Sequence, residues 1–324
     1  MMSEGNDALD ERRRRVLEKG LDQYFSAYDS SQALASELIQ RQKHPTDALI
    51  LLCARLDALA SDALGEESSH RKAFSRFVTN YGGERKLFDA VSIPDLNYEI
   101  GYHRWRLHGI IPAPGRLHRF GRLDDPLLHL IEDCGLPITV TEIGIMLDTL
   151  ARILERSFRA KARQASSKAR TVPVAQLKDL IEAAAKKSRL RQVAGRLPGA
   201  IVPLLDSVRV SNILYERFRC ESIHGAKVRI DAKRFFSEQN VYWKPIYPIY
   251  LGKTYELIEF PASFLLDCLR ACIRGYRAHL LAKKRVPHAI YFHGFEDADF
   301  RSTLEFLDVE SISGGGVVGL KLQR

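Results

Sequence analysis

The chain has 324 residues, 45% of them hydrophobic and 27% charged, with a formal net charge of +9. This composition is that of a globular protein with a buried core, and no stretch approaches the roughly 20 apolar residues that a membrane-spanning helix needs. The charged N-terminus lacks the apolar segment of a secretory signal, so we expect a cytoplasmic protein that does not associate with membranes.

The first 80 residues are predicted to form helices, because their apolar residues recur at helical spacing. The three predicted helices span residues 10–41, 46–64 and 70–81. The second is apolar around much of its circumference, which predicts a central position in the core.

The middle of the chain is less regular. Residues 84–125 carry crowded turn signals and no clear period. From Thr141 the pattern is helical again, and it continues through a basic segment at 156–170 into a helix that ends near Lys187. We expect residues 199–224 to form one further long helix.

The C-terminal third begins with a predicted β-hairpin. Two runs rich in β-branched and aromatic residues flank Gly252, and Pro245 and Pro248 confine the first run to an edge position. Pro261 then opens a predicted helix that reaches residue 284. Short strands separated by a glycine loop are expected beyond it.

The predicted helix at 199–224 holds the most informative side chains. Arg219 lies four residues after Tyr215 and therefore borders the apolar stripe of this helix, whereas Arg217 points to the opposite, solvated face. A guanidinium beside apolar surface needs a counter-charge, a phosphate or a partner subunit to offset its desolvation. A glycine directly follows His224, so the last turn can unwind and bring the imidazole towards Arg219.

The segment YERFRCESIHG, residues 215–225, resembles the Arg-x4–6-His signature of the HEPN superfamily. The helices predicted within 10–82 and 198–285 look like those of the family. The resemblance implies a mostly α fold, an HEPN-like antiparallel helical bundle with a β-hairpin and a small C-terminal β extension. The expected divisions are a helical domain at 1–286 with an insertion at 99–197, and a β-rich extension at 287–324.

The resemblance also implies a function. Many members are ribonucleases that dimerise, so the chain is expected to be a homodimeric, metal-independent endoribonuclease without a cofactor, in bacterial defence or a toxin-type stress response. The RNA 2′-hydroxyl would attack the adjacent phosphorus while His224 transfers a proton and Arg219 holds the phosphate. Asp57, Tyr215 and Arg217 are supporting candidates, and Asp57 would pair with Arg219 or orient His224.

An alternative gives the same residues a structural role. Arg219 would then form a salt bridge with an acidic neighbour and His224 would cap a helix, in a non-catalytic module that binds RNA or a regulatory partner protein. Active members often carry a polar residue directly after the motif arginine, and Cys220 at this position favours the alternative.

Two further groups of residues are candidates for binding RNA. Arg156, Arg159 and Arg163 share one face of a predicted helix and would follow a phosphate backbone, or else form a solvated basic face. The aromatic residues of the hairpin would stack on unpaired bases, or else pair across the two strands over a core. These residues are Tyr242, Trp243, Tyr247, Tyr250 and Tyr255.

The sequence predicts no metal site. The five cysteines are scattered and include no Cys-x-x-Cys pair, so we expect reduced thiols. His103, His108 and His118 lack a companion acidic cluster of the kind that metal ions need.

Overall fold

The structure is a computed structural model that describes residues 3–64, 69–110, 151, 170–186, 202, 204–220, 231–285 and 287. These residues are mostly helical, as the sequence predicts, and they include two small antiparallel sheets. They form two compact units, one within Met1–Arg85, Tyr215–Gln239 and Ala262–Arg324, the other within Lys86–Leu214 and Asn240–Pro261. The predicted β-rich extension lies outside the described residues, apart from Pro287.

The named elements follow in chain order. The helices are α1 (Ser3–Arg41), α2 (Pro45–Leu64), α3 (His70–Tyr81), α4 (Arg85–Phe88), α5 (Ile93–Ile110), α6 (Val174–Lys186), α7 (Val210–Ile213), a π-helix (Leu214–Cys220), α8 (Ala232–Ser237) and α9 (Ala262–Lys283). The strands are β1 (Ala90–Ser92), β2 (Thr171–Pro173), β3 (Tyr242–Ile246) and β4 (Tyr255–Glu259).

The first unit is built around α2, which packs against α1, α3 and α9. Leu49, Leu52 and Leu56 of α2 are fully buried, which confirms the central position predicted from its apolar circumference. The helix begins at Pro45, because proline has no N–H and the first helical position leaves that donor without an intrahelical acceptor in any case.

A group of tyrosines ties α1 and α9 to the C-terminal end of α2. The Tyr24 hydroxyl donates a hydrogen bond to the Asp62 carboxylate, and the Tyr276 hydroxyl donates to the Asp62 carbonyl oxygen at 3.4 Å. Burial raises the pKa of Tyr24 and of Tyr276 above the usual tyrosine range, because the phenolate is poorly solvated there. These hydroxyls therefore stay protonated and hold the three helices together.

The second unit contains both sheets. In one, β1 and β2 pair antiparallel with Val91 opposite Val172. In the other, β3 and β4 form the predicted hairpin, with Trp243 opposite Ile258 and a left-handed residue at Gly252. Pro245 is tolerated in β3 because each strand of a two-stranded sheet has a free edge.

A buried carboxylate joins β1, α5 and the hairpin of the second unit. Asp95 is fully buried and accepts hydrogen bonds from the Ser92 hydroxyl at 2.5 Å and from the Ile258 backbone N–H at 3.1 Å. The Trp243 indole N–H donates in turn to the Ser92 hydroxyl at 3.2 Å. Both of these donors to Asp95 are neutral, and the network fixes the hairpin to the start of α5.

The prediction of one continuous helix over residues 199–224 is wrong. Residues 204–207 form a helical turn, the chain then bridges β1 through Arg209 opposite Val91, and helix resumes at Val210. The interruption has a clear cause, because the Val208 carbonyl oxygen accepts a hydrogen bond from the Ser92 N–H of β1 instead of one from the next helical turn.

Candidate functional site

The motif segment adopts a π-helix, Leu214–Cys220, where the sequence predicted an α-helix. A π-helix bonds each N–H to a carbonyl five residues earlier, so its turn is wider than that of an α-helix. Its apolar side chains Tyr215 and Phe218 are buried, as the predicted stripe requires. Single π turns occur often at functional sites, so this segment is a candidate for one.

Arg219 forms a part-buried ion pair with Asp57 of α2. Its Nη2 atom lies 2.7 Å from Asp57 Oδ2, and the two side chains are only 14% and 18% exposed. The prediction that Asp57 pairs with Arg219 is therefore confirmed. Both residues belong to the first unit, although 162 positions separate them in the sequence.

Tyr215 supports the same guanidinium from another side. The Arg219 Cζ atom lies 5.1 Å from the centre of the Tyr215 ring, within the range of a cation–π contact. The Tyr215 ring packs in turn against Phe74 of α3, with 5.4 Å between the ring centres. A carboxylate from α2 and an aromatic ring braced by α3 thus fix the direction of the Arg219 fork.

The electrostatics of this pair have two consequences. Either charge would be unfavourable in this poorly solvated position without the other. Asp57 and Arg219 therefore compensate each other electrostatically. A guanidinium is a planar fork with five N–H donors, a shape that matches carboxylates and phosphates. Asp57 therefore compensates the charge of a side chain that is chemically suited to an oxyanion.

The charged residues next to Arg219 differ in their exposure. Arg217 is half-buried and makes contacts within the protein, so it is less solvated than the sequence predicted. The preceding residue, Glu216, is exposed, and its Oε1 atom lies 3.4 Å from Nη1 of Arg71.

Several predicted site residues fall outside the part of the chain that the structure describes. They are His224 of the motif and the basic residues Arg156, Arg159 and Arg163. The structure therefore brings Arg219, Asp57 and Tyr215 together, and the roles given to the other four stay predictions.

The hairpin aromatics divide between core and surface. Tyr242, Trp243 and Tyr255 are buried in the second unit, so for these three the core interpretation is confirmed and base stacking is wrong. Tyr247 is 61% exposed and retains the predicted capacity to stack on a base. The close packing of Tyr255 explains Gly101 of α5, where a Cβ atom would collide with the Tyr255 hydroxyl oxygen.

Two features near the site were missed from the sequence. Phe74 braces Tyr215, and Arg71 pairs with Glu216, so α3 is the direct neighbour of the motif segment. The available signal was the basic opening of α3, HRK, which follows directly on Ser69 and contains no acidic residue. The Asp95 network gave no sequence signal, because its hydrogen-bond partner Ile258 lies 163 positions away.

Among the described residues, no three histidine, cysteine, aspartate or glutamate side chains come together as a set of metal ligands. His103 is buried and its Nε2 atom lies 3.7 Å from Oε2 of Glu99, one helical turn earlier. None of the described helices is long and apolar enough to cross a membrane.

Comparison of the chain with protein-family models, with curated proteins and with solved structures finds no match.

Proposed function

We propose that the chain is a metal-independent endoribonuclease of the HEPN type, with Arg219 and His224 as its catalytic pair. The observation that carries this proposal is the arginine of the motif, held by Asp57 at 2.7 Å and by the Tyr215 ring within a π-helical segment. An arginine that is part-buried, oriented and charged is suited to stabilise negative charge on a phosphate in a transition state.

The reaction proceeds without a metal ion. The 2′-oxygen of one nucleotide attacks the adjacent phosphorus as its proton leaves to a base, and the bond from phosphorus to the 5′-oxygen breaks. The departing 5′-oxygen takes up a proton, so the products are a 2′,3′-cyclic phosphate and a 5′-hydroxyl end. His224 carries out the proton transfers, because an imidazole titrates near neutral pH, and Arg219 binds the non-bridging phosphate oxygens.

A homodimer completes the proposal. Two copies of the motif segment would bring two Arg219/His224 pairs together around a two-fold axis. RNA is the substrate, and no membrane or cofactor takes part. The setting is bacterial defence or a stress response, which rests on the resemblance of YERFRCESIHG to the family signature.

A second candidate function has its own supporting observation. Asp57 neutralises Arg219 inside the first unit, as a purely structural salt bridge would. The chain would then be a non-catalytic module that binds RNA or a regulatory partner protein. The two candidates differ in one outcome, since only the first cleaves a phosphodiester bond.

The test is incubation of the purified full chain with single-stranded RNA in EDTA, with analysis of the product ends. We expect cleavage to 2′,3′-cyclic phosphate ends, and its loss in His224→Ala while circular dichroism shows an unchanged helical content. Cleavage that requires Mg²⁺, or that persists in His224→Ala, would overturn the proposed mechanism. RNA binding without cleavage by the wild type would favour the second candidate.

A further inference from the structure

The ion pair between Asp57 and Arg219 joins two side chains of very different reach. Asp57 has a short side chain on α2, the central helix of the first unit, where the adjacent Leu56 is fully buried. Arg219 has a long side chain with many rotamers, and it lies one residue before the end of the π-helix Leu214–Cys220. When the two charges separate, the guanidinium is therefore the group that moves.

The Asp57 carboxylate contacts the group that the proposed reaction needs. Its Oδ2 atom lies 2.7 Å from Nη2 of Arg219, which is the distance of a strong, charge-assisted hydrogen bond. Carboxylates and phosphates bind a guanidinium through the same N–H fork. A phosphate that approaches Arg219 therefore competes with Asp57 for these donors and is repelled by its negative charge.

The surroundings of the pair strengthen this competition. The Arg219 and Asp57 side chains are only 14% and 18% exposed, so water and salt screen their charges less than at the surface. The contact with Tyr215 is of a different kind, because an aromatic ring attracts a guanidinium without bringing a formal negative charge. All three residues belong to the first unit. Of the two groups that hold Arg219 here, only Asp57 opposes a phosphate.

We infer that Asp57 is an autoinhibitory counter-charge, which neutralises Arg219 until a phosphate of the RNA displaces its carboxylate. The inference rests on the proposed function, since it describes how the arginine of that site passes from its counter-ion to the substrate. The exchange is non-covalent, because one ion pair replaces another. Removal of the Asp57 charge should therefore strengthen phosphate binding, whereas removal of a carboxylate that only positions Arg219 would weaken it.

The test variant is Asp57→Asn, which removes the negative charge but keeps the size of the side chain and an oxygen that accepts hydrogen bonds. Its matched control is Asp47→Asn, which removes a carboxylate of the same helix whose side chain is 68% exposed and lies near His44. Arg219→Met and Asp57→Asn/Arg219→Met complete a double-mutant cycle. Thermal melting checks that each variant is folded, and the smaller neutral variant Asp57→Ser replaces Asp57→Asn if the latter does not fold.

Binding is measured by fluorescence anisotropy with a single-stranded RNA oligonucleotide whose 2′-hydroxyls are all methylated, so that it keeps its phosphates but lacks the nucleophile. We expect Asp57→Asn to bind this strand about tenfold more tightly than the wild type at low salt, because no carboxylate competes with the phosphate. Asp47→Asn should bind as the wild type does. In the Arg219→Met background, Asp57→Asn should bring no gain, since the group for which the two anions compete is absent.

The other outcomes separate this inference from the proposed function. Weaker or unchanged binding by Asp57→Asn, with RNA cleavage by the wild type, would overturn the inference while leaving the nuclease standing. A gain that persists in the Arg219→Met background, or that Asp47→Asn equals, would be a general effect of charge and would also overturn it. A gain that requires Arg219, in a protein that does not cleave unmodified RNA, would support the exchange at Arg219 and overturn the nuclease. Absence of binding by every variant would overturn the inference.

Discussion

Each of the two units holds a carboxylate that contacts distant parts of the chain, and the two carboxylates have different environments. Asp95 of the second unit is fully buried and accepts hydrogen bonds from neutral donors, a serine hydroxyl and a backbone N–H. Asp57 of the first unit is 18% exposed and holds the guanidinium of Arg219. The first arrangement holds a carboxylate by hydrogen bonds within the fold, whereas the second holds a guanidinium, the group through which we propose that the chain binds a phosphate.

The comparison shows how a structural polar network differs from a candidate site. The hydrogen bond from the Ile258 N–H to Asp95 is internal to the second unit, and it stabilises the fold of that unit. Arg219 is paired with the carboxylate of Asp57, because its partial burial would be unfavourable without a counter-charge. Stability should therefore depend most on Asp95, and chemistry on the Asp57–Arg219 pair.

The largest expected effect on stability is that of Asp95→Ala. The variant leaves the Ser92 hydroxyl and the Ile258 N–H buried without an acceptor, at a total of about 4 kcal/mol for two such donors. Urea unfolding measures the loss. Asp89→Ala is the control in the same unit, because Asp89 is 58% exposed and only reaches Arg209 at 3.4 Å. Similar losses for the two variants would show that the Asp95 network is not structural.

Asp57→Ala should cost less, about 3 kcal/mol, because it leaves the Arg219 charge buried without its carboxylate. The loss should be largely recovered in the double variant Asp57→Leu/Arg219→Met, since apolar residues of similar size often replace a buried ion pair without net cost. Asp95→Ala has no such rescue, because one of its orphaned donors is a backbone group. A double variant as unstable as Asp57→Ala would contradict the pairing.

The tyrosines around Asp62 predict a smaller effect that depends on pH. Burial raises the folded-state pKa of Tyr24 and Tyr276, whereas in the unfolded chain each ionises near pH 10. Their contribution is thus fully present below pH 10 and is lost above it, by about 1.4 kcal/mol per pH unit for each tyrosine. Unfolding by urea at pH 9 to 11 measures this slope, and Tyr24→Phe should remove one tyrosine's share. An unchanged slope in Tyr24→Phe would show that Tyr24 ionises alike in both states.

The parts of the fold that local pattern controls could be predicted from the sequence. The long helices α1, α2, α3 and α9 follow the 3.6-residue period of their apolar side chains, and the β3–β4 hairpin follows its aromatic and β-branched runs. The pairing of Asp57 with Arg219 was also open to prediction, because each is a charge beside an apolar helical surface.

The remaining features depend on contacts between distant parts of the chain. The break before Val210 arises from the hydrogen bond between Ser92 and Val208, and no residue near 208 signals it. Neither the π-helical form of Leu214–Cys220 nor the partial burial of Arg217 has a local signal in the sequence. The Asp95 network joins residues 163 positions apart, so local pattern cannot reveal it.

The most direct test of the central claim is a side-by-side RNA cleavage time course of the wild type, Arg219→Ala, Arg219→Lys and Arg217→Ala. We expect Arg219→Ala to lose cleavage by a factor on the order of 10²–10³, because its fork braces the charge that develops on the phosphate. Arg219→Lys should fail as well, since an ammonium cannot reproduce the bidentate contact, and Arg217→Ala should stay close to the wild type. Circular dichroism confirms that each variant is folded. Full activity in a folded Arg219→Ala, with loss in Arg217→Ala, would contradict the assignment of the site to Arg219.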